Sequence, residues 1–429
     1  MLKIFKKSRR KKVLGIGLDG VPCTLIDTLI SRGDLPNIAS LCDSGTRGSI
    51  NSSLPEISSV AWSSFMTGED PSVHGIYGFI ELKPGTYDFR FPNFKDIQAE
   101  TIWQKLEKQG KRSIILNIPS SYPAPALNGI LTAGFVAVDL RKATYPDPAY
   151  RYLKRIGYQA DIDFLKARDS ADELFKAINY NLDKRIEAFQ YFRNNEQWDL
   201  FIGVITETDR LHHFCLSAFE DESHPHHEDF LDFYRRIDRY IGQVLDSIDD
   251  ATTFFMLSDH GFTLIKHEVY LNSWLKKEGY LNFETDNPSS LNELSPESRA
   301  FALDPSRIYI NRKGKYPKGK VGGESHKLLE ELSAKLTAWV DSQGNPVLRK
   351  VFPGKELYQG PCQENAPDLV LLSHHGYDLK GSVKRPEIFG RSPGLEGMHT
   401  YDDAFFLSNR PDAGISEISE ISRFILDSF

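Results

Sequence analysis

Cysteine is scarce: four residues in 429, at positions 23, 42, 215 and 362, with no C-x-x-C pair among them. Spacing this wide offers no disulfide framework and suits reduced thiols in a cytoplasmic protein. Long hydrophobic runs are absent too, so no stretch reaches transmembrane length. The apolar run Val13–Leu18 is too short for a signal-peptide core and ends in Asp19. Positive charge is not in excess. The net charge of −7 argues against a general nucleic-acid binder, which needs a broad cationic surface. The exception is local: Met1–Lys12 (MLKIFKKSRRKK) carries seven Lys and Arg and no acid. It reads as a solvated arm, or as a contact for an anionic lipid surface or polyanion. No internal repeat is visible.

What is present is the composition of a soluble globular protein, 40% hydrophobic and 26% charged. The length exceeds one ordinary domain and predicts a large α/β core with insertions, or two domains. Short, almost continuously apolar runs recur at Val13–Leu18, Ser113–Leu116, Leu200–Ile205, Thr253–Leu257, Leu369–Leu372 and Phe405–Leu407. Continuous rather than alternating hydrophobicity marks strands covered on both faces, hence a mostly parallel sheet. Helical patterns lie between them. Ser170-x-x-Glu173 is a capping box ahead of a stripe of Leu174, Ile178, Leu182, Ile186 and Phe189. Similar stripes run over Glu228–Ile248 and His326–Val340. The expected organisation is a basic arm over 1–12, an α/β core over 13–265 and 366–429, and an inserted cap over 266–365.

The acids fall in a regular place. Asp19 ends the first run, Asp209 follows Leu200–Ile205, and Asp259-His260 follows Thr253–Leu257. Ligands of open parallel sheets bind beyond the carboxyl ends of the strands, so three carboxylates delivered to that edge predict a shared cation site. Asp209 and His213 are four apart and share a helical face; His399 precedes another strand. Carboxylate and imidazole ligands suit Zn²⁺, with Mn²⁺ an alternative. The blander reading is that an Asp at a strand end caps a helix or forms a turn, and that a single His is hydrogen-bonded packing. His224, His226 and His227 sit in an acidic loop, and His374-His375 also read as loop. The pattern Gly15-Ile-Gly17-Leu-Asp-Gly20 formally fits a dinucleotide fingerprint. Its glycines, however, interrupt the apolar run itself, and Asp19 would oppose a phosphate. Finally, Pro55–Gly75 gathers Ser58, Ser59, Ser63 and Ser64 around Trp62. This is either a serine-rich turn into a helix or a nucleophilic serine at a helix N-terminus, where backbone N–H groups favour phosphate.

Taken together, the chain resembles the alkaline phosphatase superfamily, and within it the type I phosphodiesterase/nucleotide pyrophosphatase branch. The resemblance rests on VLGIGLDG (13–20), SSVAWSSFMTGEDPSVHGIYGF (58–79), TETDRLHHF (206–214), FFMLSDHGF (254–262), APDLVLL (366–372) and GMHT (397–400), in family order. It implies an alkaline-phosphatase-like core and an enzyme that hydrolyses phosphate mono- or diesters through a phosphoseryl intermediate. It puts Ser58 at the nucleophile position, with Ser59 as the fallback. It implies two divalent ions, one held by Asp19, Asp259, His260 and Ser58, the other by Asp209, His213 and His399. A phosphomutase, or a catalytically silent metal-binding relative, is the alternative. Where nucleotide pyrophosphatases carry a phosphate-binding Asn, this chain has Phe79; Asn117 or backbone N–H groups are the expected replacements. The expected partner is a phosphorylated small molecule or phosphodiester, with no specific nucleic-acid binding.

Overall fold

Along Lys12–Leu18 successive side chains alternate between two faces, as a pleated strand requires. Both faces are dry: Leu14, Ile16 and Leu18 join one core cluster and Val13 another. Leu200–Ile205 splits the same way, Phe201 and Ile205 against Leu200, Ile202 and Val204. In Thr252–Leu257, Phe254 and Met256 oppose Phe255 and Leu257. Burial on both faces explains why these runs read as unbroken hydrophobic stretches.

The computed structural model describes residues 11–411 and 413–429. The basic segment 1–12 therefore lies outside the described residues except for Lys11 and Lys12. The central sheet has eight strands in the order Thr46–Ile50, Ala404–Ser408, Thr252–Leu257, Lys12–Leu18, Leu200–Ile205, Ser113–Ile118, Gly129–Ala133, Thr144–Tyr145. From Thr252–Leu257 to Gly129–Ala133 the strands run parallel. Ala404–Ser408 is antiparallel to both of its neighbours. Helices Cys23–Arg32, Ala171–Asn195 and His227–Ser247 cover one face; Ser58–Thr67, Ile102–Glu107 and Glu420–Asp427 cover the other. The Ser170 hydroxyl accepts the Glu173 N–H and starts the longest of them. This is the α/β architecture of the alkaline phosphatase fold, a mostly parallel sheet between helical layers.

One expectation changes. Leu369–Ser373 is a strand, but it belongs to a separate four-stranded antiparallel sheet ordered Ala300–Leu303, Arg307–Ile310, Leu369–Ser373, Leu348–Pro353. That sheet has its own core with Trp274, Leu332 and Leu336. A fully buried strand reads alike in either sheet, so composition could not assign it. The glycine pattern also has a packing cause. A Cβ on Gly15 would lie 2.3 Å from the Phe255 ring, and one on Gly17 2.6 Å from Trp62. Those glycines make room for aromatic rings lying across the strand, and no dinucleotide role is needed. All four cysteines are free thiols. No helix among the described residues is long and apolar enough to cross a membrane.

Candidate active site

The parallel strands deliver their following residues to one edge. Asp19 comes directly after Lys12–Leu18, Asp259 two residues after Thr252–Leu257, and Asp209 inside the helix Glu207–Cys215 that leaves Leu200–Ile205. One turn beyond Asp209 on that helix stands His213. His399 arrives from far along the chain because Gly397–Thr400 pairs antiparallel with Gly261–Leu264, in a register that puts His399 opposite Phe262. Its ring stacks on His260 with centroids 3.6 Å apart. Ser58 is the first residue of the buried helix Ser58–Thr67, at the positive end of its dipole.

These seven residues converge. Ser58 Oγ lies 3.1 Å from His260 Nε2 and 3.4 Å from Asp19 Oδ1. His260 Nε2 lies 3.4 Å from Asp259 Oδ2 and 3.8 Å from Asp19 Oδ1. On the other side His213 Nε2 and His399 Nε2 face each other at 3.1 Å, and lie 3.4 and 3.5 Å from Asp209 Oδ1. Ligand atoms of Asp209, His213 and His399 fall within 4.8 Å of one another, as do those of Asp19, Asp209 and His260. Asp209 thus stands between the two groups.

Each imidazole is oriented by a backbone carbonyl. His213 Nδ1 donates to Gly397 O, His399 Nδ1 to Glu56 O and His260 Nδ1 to Gly261 O. With Nδ1 protonated, the Nε2 lone pairs are turned inward. The carboxylates are likewise steadied through one oxygen. Trp62 Nε1 donates to Asp19 Oδ2 at 2.9 Å, Gly20 N to Asp259 Oδ1 at 3.0 Å, and Arg210 Nη1 to Asp209 Oδ2 at 2.8 Å. Asp209 Oδ1 and Asp259 Oδ2 remain buried with no hydrogen-bond donor among the described residues. Gly20 adopts φ +66°, a left-handed turn that brings its N–H to Asp259.

The electrostatics follow from burial and crowding. Burial raises Asp19 well above the usual carboxylate range, and the Asp259 and Asp209 charges add to it. Burial also raises Asp259 to about 7. At Asp209 burial pushes upward too, but His213, His399 and Arg210 outweigh it and hold the group well below its ordinary value. Burial lowers His213 to about 3 and His260 well below the usual imidazole range. At His399 the pull of burial is overcome by the nearby Asp209 carboxylate, and the net shift is upward. Inward nitrogens, neutral imidazoles at His213 and His260, and orphaned carboxylate oxygens together form a donor set suited to divalent cations.

A small cleft of about 40 Å³ opens on the cluster, walled by Phe79, Phe135 and Arg210. Larger cavities of about 710 and 720 Å³ lie elsewhere, beside Lys276 and beside Arg312. Size alone would point away from the site; the converging ligands decide the matter. Ser59 Oγ is buried without a partner among the described residues, and Ser63 Oγ donates to the Ser59 carbonyl. The expectation for Asn117 is corrected. Its amide donates to Val204 O and Thr206 Oγ1, so both N–H groups are engaged within the sheet. His226 and His227 make local contacts with Asp229 and the Ala218 carbonyl, and His375 faces Asp402. Sequence reading passed over Trp62 and Arg210 as supports. For Trp62 a signal existed: it lies four residues after Ser58, on the same helical face.

Residues 13–402 match the family described as Type I phosphodiesterase / nucleotide pyrophosphatase. The chain belongs to that family. It is a phosphohydrolase, and the family's dependence on divalent metal agrees with the donor set. No curated protein sequence matches the chain. Similar solved structures include phosphonoacetate hydrolase from Sinorhizobium meliloti in complex with phosphonoformate, 17% identical, TM-score 0.67, covering 98% of this chain and 96% of that one. Human ectonucleotide pyrophosphatase/phosphodiesterase 5 aligns at 13% identity and TM-score 0.57, covering 97% and 94%. An inactive variant of the murine form in complex with AMP aligns at 14% identity and TM-score 0.56, covering 97% and 94%. At these identities the structural likeness speaks for the fold alone.

Proposed function

We propose that this family member hydrolyses small phosphate esters by double displacement through Ser58, with two divalent ions held at the sheet edge. Zn²⁺ is the favoured ion and Mn²⁺ the alternative, because the donors are imidazole nitrogens and carboxylate oxygens. Asp19, Asp259, His260 and Ser58 would hold one ion; Asp209, His213 and His399 would hold the other. Bound there, the ions would lower the pKa of the Ser58 hydroxyl and neutralise charge on the phosphoryl oxygens. The observation that carries the reading is the pair of imidazole Nε2 atoms facing each other at 3.1 Å beside an orphaned Asp209 oxygen. Lone pairs so close repel unless a proton or cation lies between them.

The chain's own residues supply position and proton acceptance. Ser58 is held at a helix start, its Oγ 3.4 Å from Asp19 Oδ1, a carboxylate oxygen with a further lone pair to accept the hydroxyl proton. In-line attack of Ser58 Oγ on phosphorus would expel the alcohol and leave a phosphoserine, which water then hydrolyses. Phe79 and Phe135, in edge contact at 5.3 Å between ring centroids, would limit water at the cleft mouth. The region 266–365 is proposed as a cap, since Asp304 and Ser306 from it reach a cavity adjoining His213 and His399.

The test is elemental analysis of the purified protein together with hydrolysis of a panel of phosphate mono- and diesters. Close to two divalent ions per chain are expected, with turnover abolished by chelation and restored by Zn²⁺ or Mn²⁺. A protein free of metal, or turnover indifferent to chelator, overturns the proposal. Phosphoryl transfer to a second hydroxyl without release of inorganic phosphate would identify a mutase instead.

A further inference from the structure

The segment 157–163, between the helices Asp147–Ile156 and Phe164–Asp169, is tied twice into the helix Glu207–Cys215 that carries Asp209. The first tie is a buried ion pair. Arg185 Nη2 lies 3.0 Å from Glu207 Oε1, with both residues buried. The same guanidinium donates through Nη1 and Nη2 to the Gln159 and Ala160 carbonyls, each at 2.7 Å. The second tie is Asp161. Its two oxygens accept from Arg210 Nε at 3.1 Å and Arg210 Nη2 at 2.7 Å, the paired fork in which guanidinium and carboxylate geometries match. The Phe135 ring covers this fork, its centroid 4.6 Å from Arg210 Cζ. Held in that way, Arg210 reaches Asp209 through Nη1, which donates to Oδ2 at 2.8 Å.

A carboxylate beside an arginine frequently gives both of its oxygens to the fork. At Asp209 that would fill Oδ1, which lies 3.4 and 3.5 Å from the Nε2 atoms of His213 and His399 and has no hydrogen-bond donor among the described residues. Asp161 stands in the way, because it already occupies the fork. We infer that Asp161 is a positioning residue: it keeps the Arg210 fork off Asp209 and so reserves Asp209 Oδ1 for a divalent ion shared with His213 and His399. Without the Asp161 charge, the freed N–H groups of Arg210 adjoin a carboxylate that is already joined to Nη1. Turning to Oδ1, they would take the lone pairs that an ion needs. The inference rests on the two-ion reading proposed above and adds to it a residue outside the ligand set.

The experiment equilibrates the Zn²⁺-loaded protein with rising concentrations of a chromophoric chelator and counts the ions retained per chain. In Asp161→Asn one ion should be held at least about tenfold more weakly than in wild type and the other within about threefold, the scale on which partners of metal ligands act. Asp161→Ala is measured beside it, so that misfolding of one variant does not decide the matter. The melting temperature in excess Zn²⁺ checks folding. Arg210→Met removes the holder of Asp209 and its competitor together. In that background Asp161→Asn should change ion affinity by less than about twofold, because no guanidinium is left to divert. A merely structural role of Asp161 would carry over into the Arg210→Met background at full size. Both ions held as tightly as in wild type, both lost alike, or an equal loss in the two backgrounds overturns the inference and leaves the two-ion reading standing. A wild-type protein that retains no ion removes both.

Discussion

Asp209 Oδ1 has two imidazole nitrogens within 3.5 Å and no hydrogen-bond donor among the described residues, while its other oxygen is held by Arg210. Asp209→Asn would put an amide where a full negative charge is needed. The variant should stay folded, lose about one ion per chain, and fall in kcat by at least about a hundredfold, the scale of removing one electrostatic element of a phosphoryl-transfer site. His399→Ala should behave alike; an active variant with its full complement of metal would exclude His399 as a ligand. Ser58→Ala removes the attacking oxygen and leaves the carboxylates and imidazoles in place, so at least one ion should remain while turnover is lost. Ser59→Ala should cost much less, because its hydroxyl meets none of the cluster's groups among the described hydrogen bonds. Stereochemistry at phosphorus discriminates further. Retention is expected for two in-line displacements, and inversion would leave Ser58 as a ligand only.

Between elements, the helix Ser58–Thr67 depends on both of its flanks. Its Trp62 ring lies across Gly17 and its indole N–H reaches Asp19. Gly17→Ala would set a methyl group 2.6 Å from that ring. The expected cost is about 1–3 kcal/mol in urea unfolding, the usual range for overpacking, with activity lost beyond the loss of folded protein because Asp19 shifts with Trp62. On the other flank His74, from the short helix Pro71–His74, accepts the Ile76 N–H at Nδ1 and meets Ser64 Oγ through Nε2 at 3.1 Å. Burial lowers His74 to about 3. Between that value and the ordinary imidazole value near 6.5 the unfolded chain binds more protons than the folded one. Stability from neutral His74 is therefore present above about pH 6.5 and is lost as pH falls through this window. From pH 7 to pH 5 the loss should be about 2 kcal/mol for this one group. Denaturant midpoints of wild type and His74→Gln should converge by that amount on acidification; a constant gap would exclude His74 as the source.

Across the molecule, buried carboxylates gathered at one edge of a sheet repel one another, and cations bound only to the folded form stabilise it by mass action. Chelation should therefore lower the melting temperature as well as abolish activity, and calorimetry with and without Zn²⁺ checks this. The central sheet was legible along the chain because burial on both faces writes itself into each strand as a local run, as in Leu200–Ile205. Asp19, Asp209 and Asp259 were legible as edge residues because each lies within a few positions of a strand's end, and their spacing needs no knowledge of what packs where. Thr46–Ile50 and Gly129–Ala133 were missed, the first with exposed residues and the second a short strand between glycine and alanine. Leu369–Ser373 was recognised as a strand and assigned to the wrong sheet, since pairing partners are chosen at long range. The sequence by itself determined the class of fold, the family motifs and the residue types available for metal. Only the tertiary structure decided that His399 stacks on His260, that Arg210 and Trp62 steady the carboxylates, and that the Asn117 amide is spent on Val204 O and Thr206 Oγ1. Each of these joins residues or groups brought together by strand register and helix packing, and local composition carries no record of such pairings.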